Sequence, residues 1–326
     1  MIEIVVLSGK GGTGKTSLVA GLAELIRTER VLPIRAGFVD VDVDAANLEL
    51  VFSPVLEQEE LFYGSGTASI NPSLCTNCGR CEEVCRFSAV VREGGQYRIE
   101  GLVCEGCGAC YFQCPEQAVQ LDKQLAGKWM RSSLGDQPLF HADLLPGREN
   151  SGKLVARVRE QAREFGGGQD LDLLLVDGPP GTGCPVHSAV TGADLALIVT
   201  EPTLAGIRDL ERVLGTAAHF QVEVRVCLNK VDLYPEGVRK IEELCRSRGT
   251  AVIGRIPFDR RVPEAMVKGT NIVAYRPGSA ASRAVREIWE ELQVFYQEKQ
   301  AHQHSAALGD QSGRDPELPD NQTIIS

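Results

Sequence analysis

The stretch Gly9-Lys-Gly-Gly-Thr-Gly-Lys15-Thr16 constrains this chain more than any other. It fits the pattern G-x-x-x-x-G-K-[ST]. A short apolar run, Ile2–Leu7, precedes it. A helical pattern follows from Lys15 to about Arg27, with Leu18, Leu22, Leu25 and Ile26 on one face. Glycines let the backbone curl so that successive N–H groups face a phosphate, and the helix N-terminus adds partial positive charge. The expected nucleotide-binding set is Gly9, Lys10, Gly11, Gly12, Thr13, Gly14, Lys15, Thr16 and Ser17. Lys15 is expected to reach the β/γ-phosphates and Thr16 to ligate Mg2+. The bland alternative is a glycine-rich turn with an exposed lysine.

The strand–helix rhythm continues beyond the loop. Ala36–Val41, Leu171–Val176, Leu195–Thr200 and Val224–Leu228 are mostly apolar runs, as expected of strands buried on both faces. Helical stretches lie near Gly206–Ala218, Glu236–Arg246 and Ser279–Gln297, with a short strand at Ala251–Ile256. The expected fold is α/β, a mostly parallel sheet covered by helices on both faces. Residues 67–122 break the rhythm and are expected to form an inserted domain, leaving 1–66 and 123–300 as one discontinuous domain. Residues 123–152 are Gly-, Pro- and Ser-containing and read as the return path. Residues 301–326 are polar and acidic and read as a disordered tail.

The insert holds eight of the 11 cysteines. Cys75, Cys78, Cys81 and Cys85 have the spacing C-x2-C-x2-C-x3-C, and Cys104, Cys107, Cys110 and Cys114 repeat it. In a reducing compartment such spacing points to metal ligation rather than disulfides. The segment resembles a bacterial ferredoxin with two [4Fe–4S] clusters, a small α+β domain. In that arrangement the first three cysteines wrap one cluster and the fourth turns to the other. One cluster is then expected on Cys75, Cys78, Cys81 and Cys114, and the other on Cys104, Cys107, Cys110 and Cys85. Zinc is the competing metal, because C-x2-C pairs also build zinc ribbons. Pro115 follows the second motif as in ferredoxins, whereas Arg86 stands at the matching place in the first.

Lys10, an extra lysine after the first glycine, makes the phosphate loop similar to those of the deviant-Walker ATPases, the group of MinD, ParA, the nitrogenase iron protein and the Mrp-type cluster carriers. The resemblance implies that Lys10 reaches a partner subunit's nucleotide across a dimer interface. Asp40-Val-Asp42-Val-Asp44-Ala-Ala-Asn47 resembles the family's first switch, with Asp42 orienting water and Asp40 supporting Mg2+; a solvated acidic turn is the alternative. Asp177-Gly-Pro-Pro-Gly-Thr-Gly183 resembles its second switch, with Asp177 near Mg2+. The implied catalytic set is Lys10, Lys15 and Asp42. Asn229 ends a strand and by resemblance contacts adenine, although Asn229-Lys230-Val-Asp232 is also similar to the guanine-reading string of GTPases. Cys184 follows the second switch, where the nitrogenase iron protein holds a cluster between subunits. With no obvious second ligand, a buried structural or redox-sensitive thiol is the reading preferred here.

The formal charge of −10 argues against broad nucleic-acid binding, and no apolar run approaches membrane-span length. The expectation is a cytoplasmic protein that uses ATP/ADP, Mg2+ and two [4Fe–4S] clusters. It would pair as a nucleotide-dependent homodimer, or as a heterodimer with a paralogue, and pass electrons to a partner protein. The rivals are a cluster carrier that donates to an acceptor protein and a MinD/ParA-type positioning ATPase.

Overall fold

All seven residues of Ile2–Ser8 are buried, and this strand, β1, is the axis of the molecule. The structure is a computed structural model that describes residues 1–29, 33–147 and 150–311. After β1 come α1 (Lys15–Thr28), β2 (Ala36–Asp40) and the short α2 (Leu48–Phe52). A long strand, β3 (Val55–Ile70), leads to α3 (Arg80–Glu83), β4 (Val90–Glu93), β5 (Gln96–Ile99) and α4 (Ala109–Gln113). An equally long strand, β6 (Val119–Leu134), returns to β7 (Gln137–Leu144). Then follow α5 (Ser151–Gly168), β8 (Leu173–Pro180), α6 (Cys184–Val190), β9 (Leu195–Thr200), α7 (Leu204–His219), β10 (Glu223–Asn229), α8 (Pro235–Ser247) and β11 (Ala251–Ile256). The last described elements are α9 (Arg261–Val267), α10 (Ile272–Tyr275) and α11 (Ala280–Gln311).

The main sheet has nine strands in the order β11-β10-β9-β1-β8-β2-β7-β6-β3. Its pairs from β11 through β7 are parallel. The two strands at the far edge, β6 and β3, pair antiparallel. Side-chain alternation splits the core into two layers, because successive residues of a strand face opposite ways. Ile2, Ile4 and Val6 pack with Leu18, Leu22 and Leu25 of α1 and with Ile288, Leu292 and Phe295 of α11. Val5 and Leu7 face Leu154, Val158, Leu210 and Val213 of α5 and α7. Glu3 is the exception in β1. Its buried carboxylate accepts from Arg159 Nε and Arg163 Nε, each at 2.7 Å, so the charge is paired.

Strands β3 and β6 form a ribbon with two tenants. Its inner half, Val55–Phe62 against Gly127–Ser133, completes the main sheet. Its outer half, Ser65–Ile70 against Val119–Lys123, runs past the end of β7 and carries the cysteine-rich unit. Pairing slips between Phe62 and Tyr63 and again between Ser65 and Ala68, irregularities of the kind that bend and twist a strand. The unit has a small core of its own, Ala68, Cys110 and Val119 with Ile70, Val84, Ile99 and Leu121. The β4–β5 hairpin closes it.

Residues 67 and 122 lie within β3 and β6, so both strands pass without a break from one unit into the other. The stretch 123–152, expected as a return path, holds most of β6, all of β7 and the start of α5. Polar and charged residues interrupt the apolar ones along β6, so a search for continuous apolar runs passes over this strand. Helix α11 continues to Gln311, into the segment expected as a tail, and residues 312–326 lie outside the described residues.

Gly127 allows the ribbon to join the sheet, because a methyl group there would lie 2.4 Å from the Asp143 carbonyl oxygen. Gly127→Ala is expected to destabilise the protein by about 1–3 kcal/mol. The change would be read from the urea midpoint; an unchanged midpoint would contradict tight ribbon docking.

Candidate functional site

Strand β1 ends at Ser8, and the chain turns through Gly9–Gly14 into α1. Gly12 and Gly14 have φ of 79° and 93°, a left-handed backbone that glycine adopts without penalty. At Gly14 a Cβ would also sit 2.2 Å from Asn229 Nδ2. The loop forms one wall of a cleft of about 1110 Å3, counting its open mouth. Gly11, Gly12, Thr13, Gly14, Lys15, Thr16 and Ser17 line it, facing Asp42, Asp44 and Asn47 on one side and Pro179, Pro180 and Pro185 on the other. The cleft therefore lies beyond the carboxyl ends of β1, β2 and β8, where open α/β sheets bind ligands.

Lys15 is the electrostatic centre. Its Nζ is 2.6 Å from Asp177 Oδ1 and 3.4 Å from Asp42 Oδ2, and it is only 5% exposed. Burial lowers its pKa, but Asp177 and Asp42 outweigh burial and the net shift is upward, so the ammonium is held. Asp40 and Asp177 are register partners on adjacent parallel strands and both are fully buried. Burial first, and then the Asp177 charge, push the Asp40 carboxyl up to about 7. Burial and Asp177 also raise the Asp42 pKa, against the pull of Lys15. Three acidic side chains thus share one lysine. Asp177 Oδ2 and Thr13 Oγ1 are buried with no hydrogen-bond partner. This surplus of carboxylate and these open oxygens suit a hydrated Mg2+.

Asp40 also organises the turn after β2. Its Oδ2 accepts from the N–H groups of Asn47 and Leu48 at 2.9 and 3.0 Å, and its Oδ1 accepts from the Asp42 N–H at 3.1 Å. The other expected residues lie behind the loop. Asn229 Nδ2 donates to the Thr13 carbonyl at 2.7 Å, and Lys230 Nζ donates to the Gly12 carbonyl at 3.2 Å. Gly9 packs on α7, where a Cβ would meet that of Asp209 at 2.3 Å. Lys10 is 36% exposed and pairs with Glu201 at 3.4 Å. Glu201 also lies 3.4 Å from Lys230. Sequence reasoning missed Glu201, yet it stands directly after β9, a strand carboxyl end, and that position was the available signal.

The eight clustered cysteines divide four and four. Cys85, Cys104, Cys107 and Cys110 line one cavity, of about 330 Å3 including its opening. Cys75, Cys78, Cys81 and Cys114 line a second, of about 340 Å3. Three sulfurs accept backbone N–H groups: Cys85 from Ala89 at 3.3 Å, Cys104 from Ala68 at 3.4 Å and Cys114 from Ala118 at 3.2 Å. Hydrogen bonds to sulfur are among the quantities that tune a bound iron–sulfur cluster. Among the described residues no three His, Cys, Asp or Glu side chains converge as a single ion would require. The thiols instead stand around a space, an arrangement that suits a polyatomic group.

The remaining cysteines differ among themselves. Cys227 and Cys245 are buried, and burial pushes their thiols up to about 12 and about 11, so both stay protonated. Cys184, read from sequence as a buried or redox-sensitive thiol, is exposed at the start of α6.

A phosphate loop between a buried strand and a helix, with acidic strand ends across the cleft, defines a P-loop nucleotide-binding protein of mostly parallel α/β fold. The chain belongs to the CobQ/CobB/MinD/ParA nucleotide-binding domain family, whose model matches residues 4–272. It is 33% identical over 297 residues to the uncharacterized protein MJ0578 of Methanocaldococcus jannaschii, covering 90% of this chain and 98% of that one. It is 24% identical over 307 residues to an iron-sulfur cluster carrier protein of Pyrococcus abyssi, covering 89% and 85%. Among solved structures, the septum site-determining protein MinD with Mg-ADP from Pyrococcus horikoshii superposes with a TM-score of 0.54 at 17% identity, covering 89% and 95%.

The raised Asp40 pKa has a signed consequence. Its folded value, about 7, exceeds the ordinary 3.8, so the stability it contributes is full below about 3.8 and is lost as pH rises toward 7. Without divalent cation or nucleotide, the melting temperature is expected to fall from pH 5 to about pH 7.5. Mg2+–ADP should shrink that fall, because the cation favours ionised carboxylates. Scanning fluorimetry across pH checks this; a fall of equal size with and without Mg2+–ADP would contradict it.

Proposed function

We propose that the protein binds and hydrolyses Mg2+–ATP in the cleft and pairs with a second subunit in the ATP state. That change of state would govern electron transfer through two [4Fe–4S] clusters to a partner protein. One observation carries the reading: eight cysteines divide four and four around two cavities, in a unit mounted on edge strands of the nucleotide-binding sheet itself.

The chain's own groups have distinct tasks in this reading. Lys15 exchanges its carboxylate contacts for the β/γ-phosphates, and Thr16 ligates Mg2+. Freed from Lys15, Asp42 would orient the attacking water, and Asp177 would help hold hydrated Mg2+ near the phosphates. Asp40 supports Mg2+ and keeps the first-switch turn in place through its three N–H donors. Lys10 leaves Glu201 to reach the nucleotide of the partner subunit, which is either a second copy or a paralogue. Asn229 braces the loop from behind through its bond to the Thr13 carbonyl, and would contact adenine.

Cys75, Cys78, Cys81 and Cys114 would hold one cluster, and Cys85, Cys104, Cys107 and Cys110 the other. Bound clusters supply one-electron chemistry at potentials set by hydrogen bonds to sulfur, local charge and exposure. The insert carries seven acidic residues against four arginines between Thr67 and Asp122, a face suited to a basic redox partner. With no helix among the described residues long and apolar enough to cross a membrane, a cytoplasmic site of action fits this reading.

The similarity to an iron-sulfur cluster carrier protein supports a second reading, in which a cluster is handed to an acceptor protein. The backbone donors on three of the sulfurs favour retention.

Protein purified without oxygen is expected to contain about eight iron and eight sulfide per chain, with Cys107→Ala losing about half of each. Asp42→Asn is expected to keep nucleotide affinity and to slow hydrolysis by at least about 100-fold. Zinc without sulfide would overturn the redox reading. Passage of radiolabelled iron and sulfide to an apo-acceptor, with loss of cluster absorbance, would favour the carrier.

A further inference from the structure

Helix α5 starts on a residue that does not cap it. Asn150 occupies the N-cap with φ of 81° and ψ of 22°, and its side chain makes no capping bond. Asparagine at this position ordinarily accepts an N–H of the first turn. Here its Nδ2 reaches out and donates to the Ser65 carbonyl oxygen at 3.1 Å. Lys153, in the first turn, donates from Nζ to Ser65 Oγ at 2.5 Å. The start of α5 thus grips one residue of β3, at the point where ribbon pairing slips between Ser65 and Ala68.

Close backbone approaches extend this grip in both directions. Toward the cleft, Gly152 of α5 lies against the start of α6, and a methyl there would come within 3.3 Å of the Cys184 backbone. Strand β8 runs on through Pro180, so the turn expected directly after Asp177 is confined to Gly181–Gly183; Cys184 follows it, and its neighbour Pro185 lines the nucleotide cleft. Toward the insert, Gly106 has φ of +58° and presses on the ribbon. A methyl on Gly106 would lie 2.4 Å from the Gly66 carbonyl oxygen and 3.1 Å from that of Ser65. Gly106 stands between Cys104 and Cys107, and all three line one cavity. From the same stretch of β3, the Ala68 N–H donates to Cys104 Sγ at 3.4 Å. Packed and hydrogen-bonded groups therefore run without a gap from the cleft wall to a cysteine sulfur.

We propose that Asn150 and Lys153 form a latch carrying movement of the second-switch turn, through Ser65, to the Gly66–Gly106 contact and the Cys104 sulfur. The inference rests on the nucleotide-gated cluster reading above. It adds which of the two centres responds: the one held by Cys85, Cys104, Cys107 and Cys110. Both residues are positioning residues, and neither lines the cleft. A chain of contacts transmits only if some element along it has two arrangements, and the Gly181–Gly183 stretch between β8 and α6, which a γ-phosphate could hold or release, is that element.

The test uses full-length, cluster-loaded protein handled without oxygen. Hydrogen exchange of the 64–68 and 101–110 segments, and the electron paramagnetic resonance spectrum after reduction, are compared in Mg2+–ADP and in a non-hydrolysable ATP analogue. The wild type is expected to change in both readouts, with one of the two centres altered. Asn150→Ala/Lys153→Met should keep its iron content and nucleotide affinity and lose most of both changes. Ser65→Ala, which removes only the lysine contact, should fall between. Wild-type response in the double variant would overturn the latch and leave gating standing. No nucleotide response in the wild type would overturn gating and latch together.

Discussion

The contact of Lys15 with Asp177, 2.6 Å long and almost wholly buried, is the interaction on which the rest of the site depends. It ties the start of α1 to the end of β8, and Asp40 lies beside it on β2. A buried cation between carboxylates is stable only while the charges balance, and here the acids outnumber the lysine. Phosphate and Mg2+ arriving together would change every partner in the group. Through the hydrogen bonds of Asp40 the change would reach the turn before α2, and along the last residues of β8 it would reach the segment before α6. One charge cluster thus adjoins both segments that the proposed reading makes responsive to the nucleotide.

What those segments could move is decided by the ribbon. The cysteine unit is not tethered by a flexible linker, since β3 and β6 each run without a break from the main sheet into it. Hydrogen-bonded strands carry displacement better than a loop does, and the slipped pairing at Ser65–Ala68 gives the ribbon a place to bend beside the insert. The cysteine sulfurs receive N–H groups from Ala68, next to that bend, and from Ala118, directly before β6. A small change of ribbon geometry is then a change in the hydrogen bonding of the sulfurs, one of the quantities that set a cluster's potential.

Much of this was legible in the sequence, for physical reasons that differ by element. The phosphate loop is local, so its spacing carries its geometry; the crossed four-and-four grouping of thiols around two cavities joins distant residues and is what the ferredoxin resemblance implies. Strands buried on both faces, such as Leu195–Thr200, announce themselves as apolar runs. Strands β3, β6 and β7 did not, because polar and charged residues interrupt their apolar ones. Glu201 could not be paired with Lys10 in advance, nor Asn150 with Ser65, since each contact joins residues distant along the chain. Cys184 shows the limit of position alone: its place after the second-switch turn was readable, its exposure was not.

The central claim is that the nucleotide cleft and the cysteine cavities act as one device. Potentiometric titration of the anaerobic, cluster-loaded protein tests it most directly, run once with Mg2+–ADP and once with a non-hydrolysable Mg2+–ATP analogue. The account predicts two reducible centres, one of which shifts its midpoint potential between the two nucleotides while iron and sulfide stay constant. Two centres with identical midpoints in both states would contradict it.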